Sequence, residues 1–106
     1  MAKYLFQAHY TSEGVKGLLS DGGVARRAAV EKGCASVGGK VDAFYFAFGD
    51  VDAYVICDLP DDLSAAALAM TVSASGRASA TTVKLLMPED VDLAAKKVVA
   101  YRAPGG

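Results

Sequence analysis

The sequence predicts an α+β fold: a ferredoxin-like βαββαβ antiparallel sheet with its helices on one face, followed by a C-terminal helix. Three observations carry this reading. Aromatic residues alternate along Lys3–Tyr10 at the two-residue period of a strand. Residues Val41–Pro60, VDAFYFAFGDVDAYVICDLP, read as two strands joined by a tight turn at Gly49-Asp50-Val51-Asp52. Helical patterns then precede both the hairpin and a further strand at Ala78–Leu86.

The elements follow in order. In the first strand Tyr4, Phe6 and Ala8 point one way, and Leu5, Gln7 and His9 the other. Thr11 or Ser12 caps a helix whose first buried turn is Val15, Leu18 and Leu19. Ser20-Asp21-Gly22-Gly23 interrupts it, because adjacent glycines cost about 2 kcal/mol in a helix interior. A second helical piece runs from Val24 to about Val37, with Ala29, Val30, Gly33 and Val37 inward. In the hairpin, Phe44, Phe46 and Phe48 share one face, with Ala43, Tyr45 and Ala47 opposite. Asp61 caps an alanine-rich helix, Leu63–Ser75, that Gly76 stops. Pro88 opens the last helix, striped by Val91, Ala94, Ala95 and Val98.

A chain of 106 residues is one small domain, read as residues 1–100 with a tail at 101–106. The net charge of −1 offers no basic excess for a phosphate backbone, so no nucleic-acid partner is expected. Two cysteines, Cys34 and Cys57, form no CxxC pair, and the N-terminus carries no signal-peptide pattern. These point to a cytoplasmic setting. No run approaches the roughly 18 apolar residues of a membrane span, so no membrane partner is expected.

Neither face of the hairpin is polar, whereas an antiparallel sheet with one wet face alternates apolar with polar. Two helices cover one face of a four-stranded sheet, and a bare apolar face marks an interface. The expectation is a homo-oligomer, a dimer or a dimer of dimers, whose paired sheets form a dimeric α/β barrel.

KYLFQAHYT at residues 3–11, ARRAAVEK at 25–32 and AFYFAFGDVDAYVICDLPDD at 43–62 resemble the GYD domain family. The resemblance runs over nearly the whole chain and implies a ferredoxin-like, dimeric α/β-barrel fold. The family's motif of glycine, one variable residue, tyrosine and aspartate stands here as Gly49-Asp50-Val51-Asp52, with valine for the tyrosine. The resemblance implies no reaction.

The candidate ligand-binding residues are His9, Gln7, Tyr45, Lys84 and Arg26. His9, the sole histidine, shares a strand face with Gln7. Lys84 and Tyr45 on neighbouring strands would join them in a cavity between the sheet and its partner. The plain alternative is a hydrogen-bonded histidine without a ligand. Arg26, near a helix start, suits an anion, or else lies on a solvated face paired with Glu31 or Asp21. Gly14-Val15-Lys16-Gly17 has the GxxG form of an RNA-clamping loop, but the strand order disagrees. Asp50 and Asp52 read as turn residues, and His9, Cys34 and Cys57 lack zinc-ligand spacing, so neither metal nor cofactor is expected. No GxSxG elbow is present.

Three functional readings follow. The first is a self-associating domain that binds a small molecule at the sheet-sheet interface. The second is a cofactor-free enzyme of the monooxygenase or isomerase type, a link by fold analogy. The third is a regulatory module read by a partner protein. Whether the chain is an enzyme stays open at this point.

Overall fold

The computed structural model describes all 106 residues. Strand β1 (Ala2–Tyr10) leads into helices α1 (Ser12–Asp21) and α2 (Gly23–Ser36). Strands β2 (Lys40–Phe46) and β3 (Ala53–Leu59) form the hairpin, and helix α3 (Asp62–Ala74), strand β4 (Ala78–Leu85) and helix α4 (Pro88–Ala95) complete the chain. The sheet order is β2-β3-β1-β4, antiparallel throughout. With α1 and α2 counted as one interrupted crossover, this is the chain order predicted for the first six elements.

Local chemistry sets the boundaries. Thr11 caps α1 by accepting the Gly14 N–H at 3.2 Å, and Asp61 caps α3 by accepting the Ser64 N–H at 2.8 Å. The α1–α2 break falls at Gly22, whose φ of 88° is open to glycine and strained for any other residue. Pro88 occupies the first position of α4, and the Asp90 carboxylate accepts the Met87 N–H at 3.1 Å.

The register sorts the sheet into two faces. Tyr4, Phe6, Val55, Cys57 and Leu59 lie under the helices and form the core with Cys34 of α2 and Ala65 of α3. The opposite face carries Leu5, Gln7, His9, Tyr45, Tyr54, Ile56, Thr81 and Val83 and is open. Tyr45 is 70% exposed there and Tyr54 40%.

Four expectations are corrected. The sheet is not closed into a barrel: β2 and β4 are free edges at opposite ends of an open four-stranded sheet. Closure needs about eight strands before the interior holds side chains. The inference of two oily faces came from the hairpin, yet β1 and β4 bring Gln7, His9, Ser79 and Thr81 to the open face. The hairpin connection is not a tight turn but a loop over residues 47–52, in which Phe48 takes a left-handed φ of 57°. The α1 stripe does not bury: Leu19 is 82% exposed, and α1 seats instead through Gly14. A Cβ on Gly14 would stand 1.9 Å from the Arg77 carbonyl oxygen. Nor does the α4 stripe bury, since every residue from Leu86 to Gly106 is exposed. The radius of gyration is 16.8 Å, against about 13 Å for a compact chain of this length. No helix is long and apolar enough to cross a membrane.

Candidate functional site

Helix α2 packs over β2 and α3 over β4, which leaves a gap above the two central strands. The residues facing that gap are small. Ala8, Ala53, Ala78 and Ala80 line it from the sheet, and Ala29, Gly33 and Ala69 from the helices. Methyl groups do not fill the space, and a cavity of about 270 Å³ remains. Phe6, Phe44 and Val55 are part of its floor, with Val30, Leu68 and Val72 above.

At one end the cavity meets a wider polar groove of about 540 Å³ between α1, α2 and the start of β4. Tyr10, Arg26, Ala29, Ser75 and Ala78 belong to both. Arg26 is the one charged residue lining the cavity. Its Nε is shut off from solvent and has no hydrogen-bond partner, and its guanidinium enters no ion pair. The pairing with Glu31 or Asp21 weighed from the sequence does not form.

The other candidates fall elsewhere. Gln7 stands opposite Tyr54, which stands opposite Tyr45, so those three share the open face. His9 lies on that face too, beyond the end of the β1–β3 pairing and beside Ser79. Lys84 pairs with Tyr4 and is therefore on the helix side. Its Nζ lies 3.2 Å from Asp62 Oδ1 and 6.0 Å from the centre of the Tyr4 ring. The structure thus separates Lys84 and Arg26 from His9, Gln7 and Tyr45. Tyr10, at the junction of cavity and groove, escaped the sequence reading. The available signal was its parity with Phe6 and Ala8.

Three polar clusters frame the domain. The buried Tyr4 hydroxyl donates to Asp62 Oδ1. That bond, burial and the nearby carboxylates push the Tyr4 phenol up to about 12. Tyr4 and Lys84 hold the Asp62 carboxyl below its ordinary value. At the far end of the open face, Lys3 Nζ reaches Asp58 at 2.8 Å and Asp42 at 2.9 Å, the latter delivered by a bulge between Val41 and Ala43. Those bonds, that to Asp58 first, raise Lys3, and Lys3 lowers Asp42. Cys34 and Cys57 are fully buried free thiols with Sγ atoms 3.2 Å apart. The bonded Cys34 thiol and burial push Cys57 well above the ordinary thiol value. No three histidine, cysteine or acidic side chains converge as metal ligands.

The hairpin loop is held by Asp52. Its carboxylate accepts the Tyr10 N–H at 2.8 Å, its own N–H donates to the Ala8 carbonyl at 2.9 Å, and its carbonyl accepts the Ala47 N–H at 2.8 Å. Gly49, by contrast, has a negative φ and open space where a Cβ would stand.

These features define a small α+β domain with an open antiparallel sheet and a hollow between that sheet and its helices. Residues 4–95 match the GYD domain, which is most of the chain, so the protein belongs to the GYD domain family. No curated protein and no solved structure matches it.

Proposed function

We propose that this GYD-domain protein binds a small molecule in the cavity between its sheet and helices α2 and α3, and that it self-associates through the open sheet face. The cavity carries the binding reading. It measures about 270 Å³, is mostly apolar and has a few polar groups at its mouth, the form that small-ligand sites take. The binding place is on the helix side of the sheet, not at a sheet-sheet interface.

Surface area supports the association. The chain exposes 7167 Å², against roughly 5,600 Å² for a compact monomer of 10.9 kDa. A standard interface removes about 800 Å² from each partner. The exposed segment 86–106 accounts for part of that surplus, and Tyr45, Tyr54 and Val83 leave apolar area on the open sheet face. The cofactor-free enzyme remains the alternative, and in this cavity its ionisable groups are Tyr10, Arg26 and the Cys57 thiol rather than His9.

Native mass spectrometry of freshly purified protein tests both parts. The expected result is an even-numbered assembly carrying a small molecule that Ala69→Leu, which fills the cavity, expels. A bare monomer that also fails to take up any member of a fragment library overturns the reading.

A further inference from the structure

We infer that Arg26 makes the cavity selective for small monocarboxylates with an apolar body, phenyl or short acyl. This rests on the reading that the cavity binds a small molecule, and it names the class of that molecule.

The argument starts from an unmet donor. The Arg26 Nε–H is inaccessible to water and bonds to nothing in the protein. A buried donor left alone is unfavourable, and one on a cation more so. The side chain sits where cavity and groove meet, so an anion placed there has its apolar remainder directed among Phe6, Phe44 and Val55. Two of the neighbouring hydroxyls are already engaged, and the phenol of Tyr10 is the one that could add a second bond to the same anion. Thr71 Oγ1 already donates to the Ala67 carbonyl at 2.8 Å, and Ser75 Oγ to the Val72 carbonyl at 2.6 Å.

Charge points the same way. The cavity wall holds no carboxylate. In the groove Lys16 engages Glu13 at 3.3 Å, leaving Arg26 and Arg77 against Asp21 alone. A planar guanidinium matches a carboxylate in two parallel bonds, which an amide or alcohol cannot reproduce. A single guanidinium in an apolar wall favours one negative charge over two. The volume sets the size. At about 270 Å³ the cavity is at the small end of ligand pockets, so the body is a short acyl chain or a single ring.

Calorimetric titration with phenylacetate and hexanoate, beside their neutral amides phenylacetamide and hexanamide, tests the inference. On the native chain the acids are expected to bind at least about tenfold tighter than the amides. Arg26→Gln is expected to abolish that preference, weakening the acids more than the amides, with circular dichroism verifying its fold. Amides binding the native chain as tightly as acids overturn the inference, even if Arg26→Gln does not fold. A folded Arg26→Gln that retains the preference overturns it too. In either case the cavity reading survives with another ligand. No heat and no melting shift from any of the four probes overturns this inference, while the cavity reading falls only if the fragment library also finds no binder.

Discussion

The carboxylate of Asp52 accepts a hydrogen bond from the backbone N–H of Tyr10 at 2.8 Å. This last acid of the family motif thereby ties the hairpin loop to the end of β1, and the tie passes through backbone and carboxylate alone. Nothing in it involves the side chain of residue 51, which accounts for a loop that holds with valine there. Asp52→Ala is expected to cost about 1.5–3 kcal/mol, the worth of a hydrogen bond to a charged group. Asp52→Asn keeps an acceptor and costs less. Gly49→Ala should change stability by no more than about 0.5 kcal/mol. Urea unfolding of the three variants gives the ranking, and a costly Gly49→Ala beside a harmless Asp52→Ala would reverse the assignment.

The Tyr4–Asp62 pair predicts a pH dependence at both ends of the scale. Tyr4 is raised to about 12, above the ordinary phenol value of about 10. Its contribution is therefore whole below pH about 10 and is lost as pH rises toward about 12. Asp42, Asp61 and Asp62 are lowered, by Lys3, by Ser64, and by Tyr4 with Lys84 respectively. Their contributions are whole above about pH 4 and are lost as pH falls through the folded values. Tyrosinate absorbance should show one phenol titrating near pH 12 that Tyr4→Phe removes. Its persistence in that variant would refute the pairing.

Gly14 lies under the Arg77 carbonyl with no room for a methyl group. Gly14→Ala is expected to separate α1 from the start of β4 and to cost about 3 kcal/mol, at the upper end of overpacking. Gly17→Ala, in the same helix with open space beside it, is the control. Thermal melting should fall for the first and not for the second.

Cys34 and Cys57 meet across the core between α2 and β3. Burial keeps reagent from both thiols, and Cys57, raised by the Cys34 bond and by burial, is also held in its unreactive protonated form. Both are expected to resist maleimide in the native protein and to react at once in denaturant. Immediate native labelling of either one would show that the cavity floor opens readily.

Much of the fold is legible in the residues. Paired glycines at Gly22-Gly23 mark the helix break, and Thr11 and Asp61 mark caps, because each acts through bonds to its nearest neighbours in the chain. The sheet order follows from the chain order of the elements. The site is less legible because it depends on parity and register. Lys84 changes faces if β4 shifts by one residue, and only its pairing with Tyr4 settles the side. The cavity arises from what alanines on five elements fail to fill together, a property of no single stretch. The closed barrel is misread for a related reason: the hairpin's aromatic rows say nothing of the polar residues that β1 and β4 add to the same surface.

The segment beyond β4 holds a helix of eight residues standing clear of the sheet. In water, helices shorter than about 12–15 residues are marginal unless they rest on something. The ellipticity contributed by Pro88–Ala95 is consequently a gauge of the company the subunit keeps. It declines on dilution if a neighbour supports the arm, and it is small at every concentration if nothing does.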